Sequence, residues 1–212
     1  MQQNYVWYAS YGSNVNQERF LCYIKGGKPA GSDTVEIGCR DKQLPKDSQP
    51  VSIPFPLYFS GYSKKWGGAP AFIGHEQDEG HHTLGRMYLV AEEQFIDVVR
   101  QENRKPQLFI NLDKVIQQQS VTIDQNSSYG RIVYLGENGD YPIFTFTSNQ
   151  DISECVASKP SASYLSTIVK GIKQAYQLDY QTIARYFQNK PGIKDNWSID
   201  QLNKLIYKEI IC

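Results

Sequence analysis

The side chain best suited to transfer a proton is the carboxylate of Glu102. The spacing of apolar residues predicts a helix over residues 92–103. At about 100° per residue, Glu102 falls on the apolar face of this helix. The other members of that face are Phe95, Val98 and Val99. Partial burial and the negative end of the helix dipole both favour the protonated carboxyl, so this group could accept and return a proton near neutral pH.

Periodicity alone leaves two interpretations of Glu102 open. Either the carboxylate faces a site, or the last helical turn frays and the side chain extends into water. Three other charged residues of the helix are expected on its opposite, solvated face, and they are Glu93, Asp97 and Arg100.

A glycine turn near the start of the chain is the second feature with chemical potential. It follows a strand predicted over 5–10 and precedes a helix predicted over 15–23. Its residues are Tyr11, Gly12, Ser13 and Asn14. Gly12 permits backbone conformations that other residues avoid, and the following amides are expected to point outward at a helix N-terminus. The turn could hold a carboxylate or a developing oxyanion, although similar turns also serve as plain connections.

The elements that must position these groups form a strand-rich body with a helical C-terminal third, which is an α+β fold. A long irregular excursion over 26–50 contains one short predicted strand over 35–39. Beyond it, alternating patterns predict strands over 57–62, 69–74, 83–90, 120–124, 130–135 and 141–147. The ranges 69–74 and 83–90 are expected to pair as a hairpin. A second hairpin is expected to turn at Glu137, Asn138 and Gly139.

Three helices are predicted beyond residue 160, over 161–176, 180–188 and 198–211. The last begins with a capping box formed by Ser198 and Gln201.

Four segments resemble, in chain order, those of the γ-glutamylcyclotransferases. The segments are Tyr11-Gly12-Ser13-Asn14 with Glu18-Arg19, then Trp66-Gly67-Gly68-Ala69, then Gly85-Arg86-Met87-Tyr88 leading to Gln101-Glu102, and last Pro160-Ser161-Ala162-Ser163-Tyr164-Leu165 with Gly171. The resemblance covers roughly residues 5–176. It departs from the family at Val15, where leucine is common, and at Asn103, which replaces the glycine that follows the glutamate in animal enzymes.

The resemblance implies a mixed β-barrel with flanking helices over 1–176, with a helical C-terminal extension over 177–212 packed on the same domain. It implies conversion of a γ-glutamyl amide into 5-oxoproline and a free amine, with Glu102 as general base and then acid. The small-molecule γ-glutamyl substrate would be bound by Tyr11, Gly12, Ser13, Asn14, Val15 and Tyr164. No cofactor and no metal are needed.

Rival interpretations remain open. The same fold could be a binding module whose helical tail docks a partner. A metal hydrolase would use the crowded stretch that contains His75, Glu76, Asp78, Glu79, His81 and His82, but its spacing fits no known ligand pattern. Ser13 as a nucleophile lacks the Gly-x-Ser-x-Gly context.

Composition narrows the range of binding partners and cellular compartments. The chain of 212 residues carries 22 Lys and Arg and 22 Asp and Glu, so no strong field attracts nucleic acid or an anionic membrane. Four widely spaced cysteines, no visible signal peptide and no apolar run of about 20 residues predict a cytoplasmic protein.

Overall fold

Two units make up the part of the chain that the computed structural model describes, residues 4–29 and 34–211. Unit 1 contains the described parts of the ranges 1–10, 18–49 and 87–149. Unit 2 contains those of the ranges 11–17, 50–86 and 150–212. Each unit is therefore assembled from three separate stretches of sequence.

The strands are β1 (Tyr5–Ser10), β2 (Asp47–Ile53), β3 (Leu57–Phe59), β4 (Ala71–Ile73), β5 (Thr83–Ala91), β6 (Ser120–Thr122), β7 (Arg131–Asn138) and β8 (Tyr141–Thr147). The helices are α1 (Gln17–Lys25), α2 (Glu92–Asn103), α3 (Leu112–Gln118), α4 (Ala162–Tyr176), α5 (Tyr180–Gln188) and α6 (Ile199–Ile211). In the described ranges, no helix combines the length and the apolarity that crossing a membrane requires.

The larger sheet has the strand order β2-β5-β1-β8-β7-β6. Strand β1 pairs in parallel with β8, and β7 pairs antiparallel with both β8 and β6. The α+β class is confirmed, but the predicted barrel is wrong, because β2 and β6 lie at opposite ends of this order and the sheet stays open. Both end strands are poor partners: β6 has three residues, and Pro50 in β2 has no N–H to donate.

Several strand predictions differ from the structure. Strand β2 lies within the predicted excursion; its proline is tolerated because β2 is an edge strand. The strand predicted over 35–39 is reduced to an isolated bridge between Gly27 and Glu36. The hairpin predicted from 69–74 and 83–90 is wrong, because β4 pairs antiparallel with β3. The hairpin of β7 and β8 is confirmed.

The core of unit 1 is aromatic. Helices α1 and α2 contribute Phe20 and Phe95 to a cluster of buried side chains from the sheet. The ring of Phe20 stacks on Tyr88 at 3.9 Å between centroids, and that of Tyr8 on Phe146 at 5.2 Å. Since burying such a ring stabilises the fold by about 2 kcal/mol, these contacts hold both helices against the sheet.

The expectation that Asp97 is solvated is wrong. Its side chain is buried, and its carboxylate accepts hydrogen bonds from the backbone N–H of Arg40 at 3.0 Å and from the Arg40 Nε at 3.1 Å. Arg100 lies 3.6 Å away on the same helix. The segment around Arg40, part of the predicted excursion, therefore covers a helix face that helical periodicity alone assigns to solvent.

Unit 2 is helical around the short β3–β4 pair. Helix α6 contacts both α4 and α5, and it buries Leu202 and Ile206. The predicted capping box is confirmed, since the Ser198 N–H donates to the Gln201 side chain at 3.0 Å and the Gln201 N–H donates to the Ser198 hydroxyl at 3.2 Å. The division of the chain at residue 176 stays a prediction.

The loop between β6 and β7 is attached to the end of α2. The Lys105 ammonium donates to the carboxylate of Asp124. That carboxylate also accepts from the Ser127 hydroxyl at 2.6 Å and from the Asn126 N–H at 3.0 Å. These contacts, the one from Lys105 first, lower the pKa of Asp124 to about 2.

We expect Asp124→Asn to lower the melting temperature at pH 7 and to have no effect near pH 2. The folded pKa of Asp124 lies below the value of about 3.9 that applies to the unfolded chain. The carboxylate therefore stabilises the fold fully above pH 4 or so, and this contribution is lost as pH falls through about 2. Asp140→Asn, at an exposed turn position, removes the same charge as a control. An equal melting difference at pH 7 and pH 2 would contradict the assignment.

Candidate functional site

The last turn of α2 is held from two sides. The Gln101 side chain donates to the Tyr23 carbonyl at 3.0 Å and accepts from the Gly38 N–H at 3.1 Å. The Asn103 side chain donates to the Tyr129 carbonyl at 3.0 Å and accepts from the Tyr129 N–H at 3.1 Å. Since these residues flank Glu102, the alternative in which the turn frays is excluded.

Helix α2 ends in an ordered cap. Arg104 adopts a left-handed conformation with φ of 53°, and its N–H reaches the carbonyls of Arg100 and Gln101. Glu102 is half-buried, as its place on the apolar face predicts. The carboxylate is thus presented by a fixed stretch of backbone.

The partner of Glu102 is a buried phenol. The Tyr23 hydroxyl and the Glu102 carboxylate form a hydrogen bond. Burial first, and then the negative charge of Glu102, raise the pKa of Tyr23 well above its ordinary value. Tyr23 also accepts a hydrogen bond from the guanidinium of Arg19 at 3.2 Å, and Arg19 lies 3.7 Å from the carboxylate of Glu36.

Sequence reasoning missed this group of side chains around Glu102. The available signal was the spacing of Arg19 and Tyr23, four residues apart and therefore neighbours on one helix face. Glu36 could not have been found in this way, because it comes from the irregular segment that follows α1.

The glycine turn differs from its predicted form. Gly12 has φ of −96° and ψ of −144°, so it does not adopt the left-handed conformation that a glycine permits. A 3-10 turn over Ser13–Val15 follows Gly12, with the Val15 N–H donating to the Gly12 carbonyl at 3.1 Å. Asn16 is extended, and α1 begins only at Gln17. The predicted continuous helix over 15–23 is therefore broken.

Glycine is required at position 12 because the neighbouring atoms leave no room for a side chain. A Cβ atom at this position would lie 2.9 Å from the hydroxyl oxygen of Tyr164, which is closer than such atoms approach in proteins. That hydroxyl accepts a hydrogen bond from the Ala71 N–H at 3.1 Å. The Tyr164 ring lies 4.7 Å from Trp66 between centroids. Three of the segments that carry the family resemblance, those around Gly12, Trp66 and Tyr164, therefore meet in unit 2.

The predicted binding residues of the turn are poorly exposed. Tyr11, Ser13, Asn14 and Val15 are all buried, with Val15 fully so. The turn is supported from below by Gly171 of α4, because a Cβ there would lie 2.4 Å from the Asn16 nitrogen and 2.4 Å from the Val15 carbonyl carbon. Glu102 belongs to unit 1 and the turn to unit 2.

A separate open cleft of about 590 Å³ lies in unit 2. Its lining residues are Gly61, Tyr62, Gly67, Gly68, Ser158, Lys159, Pro160 and Ser161. Its lining contains one phenol and one ammonium but no carboxylate, imidazole or thiol that could serve as the general base. The cleft is therefore a poor candidate for the catalytic centre.

The histidine-rich stretch forms a local pair of side chains. The ring of His81 lies 2.7 Å from the Asp78 carboxylate, and the pKa of Asp78 is lowered, first by the Gly80 N–H and then by His81. Within the described part of the chain, no three His, Cys, Asp or Glu side chains are grouped so that they could hold a metal ion.

Comparison with known proteins relates the chain to two kinds of protein. No model of a known protein family matches it. Over 200 residues it is 33% identical to histone deacetylase 5 of Arabidopsis thaliana, a match that covers 85% of this chain and 30% of that protein. The chain thus spans less than a third of the length of this relative.

Two solved structures are similar to the chain over nearly their full lengths. A γ-glutamyl cyclotransferase has a TM-score of 0.53 and 15% identity, covering 97% of this chain and 99% of its own. An uncharacterized Homo sapiens protein has a TM-score of 0.51 and 16% identity, covering 95% of this chain and 99% of its own.

We expect Gly171→Ala to destabilise the protein by about 2 kcal/mol. In an ordinary helix the same change stabilises by about 1 kcal/mol, so the sign of the effect tests the packing of α4 against the turn. Unfolding by urea measures the difference, with Lys170→Ala at the exposed neighbouring position as the control. A Gly171→Ala variant more stable than the parent would show that the turn does not rest on α4.

Proposed function

Because the chain has the γ-glutamyl cyclotransferase fold, we propose that it converts a γ-glutamyl amide into 5-oxoproline and a free amine or amino acid. The observation that supports this proposal is the carboxylate of Glu102. It stands at the firmly held end of α2 and is hydrogen-bonded by a buried phenol, as an acid–base group that must keep one orientation requires.

The reaction needs one group that moves protons. Glu102 takes a proton from the α-ammonium of the substrate, and the freed amine attacks the γ-carbonyl carbon. The new C–N bond closes the five-membered ring, and the C–N bond to the leaving group breaks. Glu102 returns its proton to the leaving nitrogen, while the second proton of the ring nitrogen reaches that amine through solvent. The attacking group belongs to the substrate, so enzyme nucleophile, metal and cofactor have no step to perform.

The turn in unit 2 is proposed to hold the substrate. Backbone amides of Gly12, Ser13 and Asn14 would bind its carboxylate or the developing oxyanion. Val15 supports the turn through its hydrogen bond to the Gly12 carbonyl, and the rings of Tyr11 and Tyr164 would form walls.

The leaving group stays open among amino acids, amines and peptides such as the cysteinylglycine of glutathione. We place the reaction in the cytoplasm as part of the proposal. Among the described cysteines, Cys22, Cys39 and Cys155 are not joined in disulfide bonds, which suits a reducing compartment.

A binding module is the second candidate. The match to 30% of a longer plant protein favours it, because related sequence there forms one part of a larger chain. In that case the fold would serve to dock a partner, and Glu102 would have no chemical task. Burial of Leu202 and Ile206 of α6 within unit 2 argues against docking through that face of the tail.

We expect Glu102→Gln to lower kcat by about a hundredfold or more, the range for loss of a general acid–base, with little change in KM. Release of 5-oxoproline is assayed with γ-glutamyl amino acids, γ-glutamyl amines and glutathione. The glutamine keeps the shape of the side chain but removes its charge and its ability to take a proton.

The control for Glu102→Gln is Glu93→Gln, which changes an exposed carboxylate on the same helix and should leave kcat at the parent value. Equal kcat in parent and Glu102→Gln would refute the assigned role. A parent that turns over none of these compounds would favour the binding module.

We expect Gly12→Ala to raise KM about tenfold, the effect of one badly placed contact. The new methyl group collides with the Tyr164 hydroxyl and displaces the turn. Because the collision involves that oxygen, the double variant Gly12→Ala/Tyr164→Phe should bind substrate better than Gly12→Ala alone. Steady-state kinetics of both variants and of Tyr164→Phe test this, and a double variant no better than the single one would rule out the steric explanation.

A further inference from the structure

A chain of four polar side chains runs through the buried part of unit 1. Its members are Glu36, Arg19, Tyr23 and Glu102, and each contacts the next. Arg19 and Tyr23 are almost completely buried, at 5% and 2% exposed. Buried polar groups cost stability unless each is hydrogen-bonded, so a chain of this kind inside an aromatic core calls for an explanation.

The direction of the hydrogen bonds follows from the chemistry of the groups. A guanidinium donates and cannot accept, so the 3.2 Å contact between the Arg19 Nη2 and the Tyr23 hydroxyl uses the phenol oxygen as acceptor. The one proton of the phenol is then left for the Glu102 carboxylate. Burial and the neighbouring carboxylates raise the pKa of Tyr23, and the phenol therefore keeps this proton at every pH at which the enzyme would work.

Arg19 strengthens this donor. A cation that donates to a hydroxyl oxygen polarises the O–H bond and makes its proton a better donor. Glu36, 3.7 Å from Arg19 and almost as deeply buried, at 11% exposed, balances the guanidinium charge. The charged groups that act on Tyr23 are thus Glu102, Arg19 and Glu36.

The backbone contacts support the same arrangement. The Gln101 side chain binds the carbonyl of Tyr23 itself at 3.0 Å. Helix α1 therefore holds α2 next to Glu102 through two contacts of one residue, one from its backbone and one from its side chain. Both contacts fix the position of the Glu102 carboxylate relative to the Tyr23 phenol.

We infer that Tyr23 is a positioning residue for Glu102, and that its hydroxyl, oriented by Arg19, fixes the carboxylate in one rotamer from which it can accept a proton. This inference rests on the proposed function. It assigns a task to a residue that has no part in the proton transfer itself. A carboxylate without this donor would be free to rotate, and a misplaced acceptor slows general-base catalysis.

The test is Tyr23→Phe, which removes one oxygen atom from the core. We expect kcat to fall about tenfold, the effect of losing one hydrogen bond to a charged group, with KM unchanged. This fall should persist well below the melting temperature of the variant, because the carboxylate lacks its donor in the folded state. A purely structural role would lower the melting temperature and leave kcat at the parent value wherever the variant is fully folded.

Tyr134→Phe is the matched control, because Tyr134 also donates to a glutamate, Glu137, in the same unit. It should leave kcat at the parent value. If Tyr23→Phe fails to fold, Arg19→Lys replaces it. That variant keeps the charge, weakens the hold on the phenol and should also lower kcat with KM unchanged.

A second readout does not depend on activity. Carbon-13 NMR at neutral pH observes the carboxyl carbon of Glu102, whose resonance is identified by its absence in Glu102→Gln. We expect its chemical shift to change in Tyr23→Phe, because the carboxylate loses its hydrogen bond, and to stay at the parent value in Tyr134→Phe. An unchanged chemical shift in Tyr23→Phe overturns the inference, even if the parent is an active cyclotransferase. A changed chemical shift in a protein that turns over no γ-glutamyl compound supports the hydrogen-bond arrangement and rejects the proposed function instead.

Discussion

The fixed end of α2 is the constraint on which the rest of the site depends. The last turn of a helix is normally its least ordered part, because its carbonyls lack hydrogen-bond partners within the helix. A carboxylate on that turn is therefore poorly fixed unless other contacts hold the turn. Here two amide side chains flank Glu102 and bind backbone groups of α1 and of the β6–β7 loop. Amide side chains suit this task, since each can donate and accept at once. The helix end is thereby as well fixed as its middle.

In unit 2 the turn is held in place differently, by close backbone contacts at glycine residues. At Gly12 and at Gly171 a single methyl group would collide with neighbouring atoms. The turn can therefore lie against both the Tyr164 hydroxyl and the backbone of α4. In unit 1 hydrogen bonds hold the site, and in unit 2 the absence of side chains lets backbone segments meet. Both devices restrict motion without adding apolar surface.

The elements with strong periodicity were predictable from sequence, and the contacts between them were not. Helix α2 and the inward side of Glu102 follow from the spacing of three apolar residues. The burial of Asp97 does not, because Arg40 reaches it from 57 residues away. Likewise, β2 was hidden by Pro50, which only an edge position permits. In the candidate site, Glu102 could be singled out from the sequence because it is a charged residue on the apolar face of its helix. Tyr23 and Arg19 could not, because they look like ordinary members of an amphipathic helix until their partner is known.

The residue after the glutamate shows how a departure from the resembled family is accommodated. Where a glycine follows the glutamate, it can take the left-handed conformation that ends the helix at no steric cost. Asn103 stays helical here, and the left-handed role passes to Arg104, at a cost of about 1 kcal/mol for a side chain other than glycine. The two hydrogen bonds between Asn103 and the backbone of Tyr129 offset that cost. The substitution thus replaces a flexible glycine end with one tied to the neighbouring loop, and the carboxylate keeps its place.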